Sequence, residues 1–154
     1  MTPGESAEKK TKLKIRRARM SDAEKLAELS VQLGYPATAA QIVQRLQRLK
    51  PASRHALLVA DDPEDGVAAW LHVSVTPLIE VELRAEVNAF VVGEKHRSQG
   101  AGARLLEAAE DWARRRGCES VSLRSNVIRE RAHKFYERNG YEHYKTQKAF
   151  RKAL

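Results

Sequence analysis

The sequence predicts a mixed α/β fold, α and β elements sharing one domain, and three observations carry that reading. Short apolar runs of strand length crowd the middle of the chain, between residues 55 and 92. Stretches with apolar residues at helical spacing stand before and after them. A strong strand over residues 86–92 is followed by a helical stripe and then by a further strand, the order of a parallel crossover unit. At 154 residues the chain suits one domain with a sizeable core. The expected architecture is a mixed central sheet of six to seven strands with about four helices.

The elements follow in order. Residues 1–12 are polar and read as a flexible tail, with no apolar stretch of a secretory signal. Residues 13–19 predict a short strand. Ser21 with Glu24 three residues on reads as a capping box, and Leu26, Leu29 and Leu33 continue at helical spacing to Gly34, Tyr35 and Pro36. Thr38 and Gln41 repeat the capping pattern before Ile42, Val43, Leu46 and Leu49, a second amphipathic helix stopped ahead of Pro51.

Residues 55–60 form a compact apolar run ending at a turn signal, Asp61, Asp62 and Pro63. Residues 66–75 alternate, with Val67, Ala69, Leu71, Val73 and Val75 on one face, so the two runs predict a hairpin. After residues 86–92 the period becomes helical: Leu105, Leu106, Ala109, Trp112 and Ala113 share a stripe, closed by Arg114, Arg115, Arg116 and Gly117. Residues 120–124 predict a strand and residues 129–139 a helix ended by Gly140. Residues 141–144 and 148–150 complete the expected strands.

Composition narrows the function classes. No apolar run approaches the roughly 20 residues that span a bilayer, so no membrane partner and a cytoplasmic location are expected. The single cysteine, Cys118, excludes a disulfide framework or a multi-cysteine metal site within one chain, and no metal is expected. It stands just before an apolar strand and reads as a small buried residue. The net charge of +8 suits a polyanionic partner, whether nucleic acid or a cofactor with several phosphates, or reflects exposed basic helix faces alone.

One segment discriminates among these. Arg97, Ser98, Gln99, Gly100, Ala101 and Gly102 stand where a strand has ended and a helix is about to begin. The first turn of a helix has backbone N–H groups without intrahelical partners, and with the helix dipole these form an anion site. Glycines at 100 and 102 allow close approach of a pyrophosphate, and Arg97 adds a permanent, fork-shaped charge. The loop lacks the Gly-Lys-Ser/Thr ending of a P-loop and the third glycine of a dinucleotide fingerprint.

Strand, Arg/Gln-x-x-Gly-x-Gly/Ala and amphipathic helix resemble the acetyl-CoA-binding core of the general N-acetyltransferase (GNAT) superfamily, with Arg97, Gly100 and Gly102 matching position for position. The likeness continues downstream in Asn126 and in Ala132, Phe135, Tyr136, Gly140 and Tyr141, which are similar to the family's N…A-x-x-F-Y-x-x-x-G-F/Y segment. The resemblance is dense from about residue 86 to residue 144 and only architectural over residues 13–75.

The resemblance implies a single acetyltransferase domain over residues 13–154, acetyl-CoA as cosubstrate and direct attack by an amine in a ternary complex. It implies that backbone amides of Ser98, Gln99, Gly100, Ala101, Gly102 and Ala103 hold the pyrophosphate. The strand end Phe90, Val91 and Val92 would pair with the pantetheine arm, with a backbone N–H assigned to Val91 for the thioester oxygen. Asn126 would contact the pantetheine portion and Tyr136 would stand near the sulfur.

A phenol at Tyr136 can donate a proton to the leaving thiolate. A free alkyl amine, with a pKa of about 10.4, needs a base; Glu86 is the first candidate, with His72 and His133 behind it. Glu80 and Glu82 make the neighbouring segment acidic. The acceptor, a small-molecule or peptide amine, is expected to be read by the N-terminal helices around Leu33, Gly34 and Tyr35 and by residues 76–84. A homodimer is open. Two other readings stand beside the enzyme: a non-catalytic acyl-CoA sensor or scaffold, and a nucleic-acid-binding module. The second has the charge but few aromatics, at 6%, and no nucleic-acid motif, so no nucleic acid partner is expected.

Overall fold

The computed structural model describes residues 12–49 and 53–154. The tail expected over residues 1–12 therefore lies outside the described residues, except for Lys12. The chain divides into two compact units, Met1–Arg124 and Ser125–Leu154.

The first unit holds one five-stranded sheet with spatial order equal to chain order. Its strands are β1 (Lys14–Arg17), β2 (His55–Asp62), β3 (Gly66–Val75), β4 (Arg84–Val92) and β5 (Ser120–Leu123). The first three pairings are antiparallel and β4–β5 is parallel, as the crossover order predicts. Helices α1 (Ala23–Leu33) and α2 (Ala39–Arg48) precede β2, and α3 (Ala101–Arg115) joins β4 to β5. Among the described residues, no helix is long and apolar enough to cross a membrane.

Local chemistry sets the helix ends. Thr38 and Gln41 form the predicted capping box: Thr38 Oγ1 accepts the Gln41 N–H at 3.1 Å and Gln41 Oε1 accepts the Thr38 N–H at 3.0 Å. Gly34 closes α1 at φ 88°, the left-handed conformation that a C-cap glycine adopts at least cost. The predicted box at Ser21 does not form. Met20–Asp22 is a turn of 3-10 helix, and the Asp22 carboxylate takes the Arg19 N–H at 2.7 Å.

That carboxylate also receives the Arg16 guanidinium at 2.8 and 2.9 Å, while Arg16 Nε reaches Asp61 at 3.0 Å. The Arg16 hydrogen bond is the main cause holding the Asp22 carboxyl below the usual carboxylate range, against burial. The pair is largely shielded, with side-chain exposures of 13% and 9%. Breaking such a pair leaves an uncompensated charge, so Asp22→Ala is expected to cost about 3 kcal/mol in chemical denaturation. A depressed acid stabilises fully above its unfolded value near 4 and less as pH falls through the lower folded value. The wild type should therefore lose more stability than Asp22→Ala across that acid window.

The core forms on both faces of the sheet. On one face Leu26 and Leu29 of α1 pack with Val59, Val67 and Val91. The alternating residues Leu58, Ala60 and Leu71 are equally buried, and α3, which touches every strand, brings Leu105, Leu106, Ala109, Trp112 and Ala113 to the core. Arg116 lies 4.1 Å from the Trp112 ring centroid. Cys118 is half-buried rather than fully buried, and burial pushes its thiol upward.

The second unit holds α4 (Glu130–Arg138), one residue shorter at each end than predicted. The strands expected over residues 141–144 and 148–150 are absent, so the sheet has five strands rather than six or seven. Residues 142–154 are exposed throughout. Their polar and charged residues outnumber the scattered apolar ones, so no alternating face is available to bury.

Candidate functional site

The loop after β4 is anchored before it turns. The Gly93 N–H donates to Ala68 O at 2.8 Å, and a Cβ there would stand 3.0 Å from that same oxygen and 3.2 Å from Leu29 Cδ2. A side chain there would press on β3 and on Leu29, so glycine suits the position. Glu94–His96 forms a short 3-10 turn, Arg97 is extended and exposed, and Ser98 takes φ 66°, uncommon for a residue with a side chain. Gly100 then adopts φ 84°, and α3 begins at Ala101.

The Arg104 N–H bonds back to Gly100 O at 3.1 Å. The amides of Ala101, Gly102 and Ala103 precede it and point out of the helix end. The first turn of α3 carries no acidic residue to compete with an anion. Gln99 Oε1 is buried without a hydrogen-bond partner, while its amide nitrogen donates to Lys95 O at 3.5 Å. The backbone donors left facing out are therefore those at the start of α3, with Arg97 in solvent beside them, whereas the Gln99 N–H, expected to face the pyrophosphate, bonds to His96 O at 3.4 Å.

β4 supplies the adjoining wall. Its ladder to β5 ends at Val87↔Leu123, whereas β4 continues to Val92 against β3. Within that stretch Val91 is buried opposite Trp70, Phe90 stands opposite Leu71 and Val92 opposite Ala69. The register shifts at His72/Val73, leaving Asn88 as the extra residue of a bulge. Its side-chain amide donates to Ser74 Oγ at 2.8 Å. Nothing in the sequence marked this bulge, because register depends on the partner strand.

Glu86 lies in a cross-strand row with His55, Ser74 and Ser122. Residues directly opposite share a face, so the row is polar across four strands. Glu86 Oε1 pairs with Arg124 Nε at 3.1 Å, and its side chain is 30% exposed. His72 Nε2 stands 3.2 Å from His55 Nδ1. Burial first, and the His55 charge second, push His72 down to about 4, so its imidazole is neutral at pH 7. Glu80 and Glu82 lie on an exposed segment ahead of β4.

In the second unit Asn126 organises the approach to α4. Its Oδ1 accepts the Ile128 N–H at 3.2 Å, its carbonyl accepts the Arg129 N–H at 3.0 Å, and His133 Nε2 lies 2.9 Å from that carbonyl. The Tyr136 ring packs edge-on against Phe135 and Tyr141, with centroids 5.6 and 6.2 Å apart. Burial raises the Tyr136 phenol above its usual value, and Arg129 only partly opposes this. The phenol therefore keeps its proton through neutral pH.

A three-residue cluster escaped the sequence reading. His96, Asp62 and Asp65 bring their polar atoms within 4.8 Å of one another. Its signal was dispersed: the aspartates belong to the β2–β3 turn and the histidine to the loop after β4.

The mixed sheet and the donor-lined start of α3 define a domain of the GNAT acetyltransferase class. The family model described as acetyltransferase (GNAT) family matches residues 20–141, and the chain belongs to that family. Members of this family use acetyl-CoA as cosubstrate. The donor cradle and the acid-free first turn of α3 fit its phosphates.

A segment of 66 residues is 41% identical to the aminoalkylphosphonate N-acetyltransferase of Salmonella typhimurium, covering 42% of this chain and 43% of that protein. This match thus spans less than half of the Salmonella protein's length. The aminoglycoside N(6′)-acetyltransferase type 1 of Klebsiella aerogenes is 29% identical over 109 residues, covering 68% of this chain and 71% of that one. A solved GNAT family acetyltransferase of Staphylococcus aureus superposes with a TM-score of 0.71 at 26% identity, over 93% of this chain and 99% of its own.

Proposed function

We propose that this protein is a cytoplasmic N-acetyltransferase that moves the acetyl group of acetyl-CoA to a primary amine by direct attack. The observation that carries the donor half is the start of α3, where Gly100 turns the chain and three backbone N–H groups leave the helix end together. That geometry suits a diphosphate, which also gains from the helix dipole. Asn126 holds the pantetheine portion, and the Phe90, Val91 and Val92 edge guides it toward the acyl end. An N–H donor, assigned to Val91, stabilises the oxyanion.

The remaining chemistry is proton transfer. Glu86 receives the amine's proton directly or through water, and Arg124 orients its carboxylate. His72, neutral at pH 7, adds no positive charge to repel the incoming ammonium. Tyr136 supplies the proton to the departing thiolate. The acceptor is a small polar amine, the feature shared by the substrates in the names of the Salmonella and Klebsiella enzymes.

A screen of CoA thiol release with aminophosphonates, aminoglycosides, polyamines and peptide N-termini tests the reading. Amine-dependent release that falls at least tenfold in Glu86→Gln is the expected result. Binding of acetyl-CoA without release for any amine would mark a non-catalytic acyl-CoA binder instead.

A further inference from the structure

His96 is buried, with 8% of its surface exposed, at the end of the 3-10 turn that leads into the phosphate loop. Its backbone is a junction. Its N–H donates to Gly93 O at 2.9 Å and its carbonyl accepts the Gln99 N–H at 3.4 Å. The first bond ties it to the residue pinned on β3, and the second ties it to the residue before Gly100.

Its side chain points elsewhere, to the β2–β3 turn. Nε2 stands 3.4 Å from Asp62 Oδ2 and 3.3 Å from Asp65 Oδ2. Asp62 is itself buried, and its other oxygen takes the N–H groups of Glu64 at 2.8 Å and Asp65 at 3.3 Å. Those bonds keep its carboxyl below the usual range, the Glu64 N–H chief among them. The anchor is therefore a rigid, ionised group on a hairpin turn.

We infer that His96 is a positioning residue that latches the phosphate loop to the β2–β3 turn through Asp62 and Asp65, and so sets the affinity for the cofactor's diphosphate. The latch needs a proton on Nε2, which the neutral Nε2–H tautomer and the imidazolium both carry. With the latch gone, the segment from Glu94 to Gln99 keeps its turn bonds and its contacts with β3 but loses its tie to the β2–β3 turn, and the amides of Gly100 to Ala103 lose part of their fixed approach. Preorganised donors bind more tightly than donors that must be ordered on binding. This rests on the acyl-CoA reading of the loop.

The test measures CoA affinity by calorimetry, together with separate KM values for acetyl-CoA and amine, in the full chain. His96→Leu is expected to weaken CoA binding about tenfold and raise the acetyl-CoA KM similarly. kcat at saturating acetyl-CoA and the amine KM should stay within about twofold, a split that general loss of structure does not produce. His96→Gln, whose amide N–H reaches a similar position, should recover most of the affinity.

Asp62→Ser combined with Asp65→Ala keeps an oxygen for the turn amides and removes both carboxylates from His96. This paired variant should weaken CoA binding as His96→Leu does, with little further loss when His96→Leu is added. This second route holds if His96→Leu fails to fold. Wild-type affinity in either variant, additive losses, or equal falls in every kinetic parameter would overturn the latch alone. A wild type that binds no CoA would overturn the reading of the loop beneath it.

Discussion

Gly100→Val is expected to weaken acetyl-CoA binding at least about a hundredfold by calorimetry. Two effects combine. Position 100 sits at φ 84°, where a β-branched residue is a steric outlier, and holding it there costs about 1–3 kcal/mol. Relief of that strain moves the amides that follow. If the backbone does not yield, the valine side chain occupies space at the helix start, where the diphosphate must approach closely. Gly34→Val separates strain from site. Gly34 has a similar φ of 88° with nothing within 4 Å of an added Cβ, and it lies at the end of α1. That variant should lose stability while its CoA affinity stays within about twofold of wild type. Equal affinity losses in both variants would count against the loop as the phosphate site.

Tyr136→Phe is expected to lower kcat about 10²- to 10³-fold, the scale of losing a positioned proton donor, with acetyl-CoA affinity changed less than about threefold. The ring's contacts with Phe135 and Tyr141 survive loss of the hydroxyl, so the variant should fold normally. The pH profile adds a second readout. Burial raises the Tyr136 phenol above its ordinary value near 10, so the donor stays protonated below that pH. The wild type should lose activity only as pH rises through the raised value, and this alkaline limb should be missing from the residual activity of Tyr136→Phe. Unchanged turnover would remove Tyr136 from the acid role.

What could be read from the chain follows how local each signal is. The Thr38 box, the Gly34 cap and the apolar stripe of α3 depend on residues within a few positions of each other, and all three are present. The turn into α3 is legible because its glycines and its place between strand and helix are both local. Ser21 misled because Asp22, one residue on, is drawn into a pair with Arg16 across the strand–helix junction. The Asn88 bulge, the Glu86–Arg124 pair and the His96 latch each join segments distant in sequence, and only strand pairing brings them together. The C-terminal strands are absent for the opposite reason: Tyr141, Tyr144 and Phe150 are local strand-formers with no shared apolar face to bury.

Cys118 bears on how turnover can be seen. Burial raises its thiol, so at neutral pH the thiolate, the form that attacks disulfide reagents, is scarce on the protein. It is also the chain's only cysteine. Coenzyme A released into water carries an unhindered thiol of ordinary acidity and reacts first. The protein thus adds at most one slowed thiol per chain to the signal of the chromogenic reagent that counts its product, a fixed background that a blank without amine subtracts.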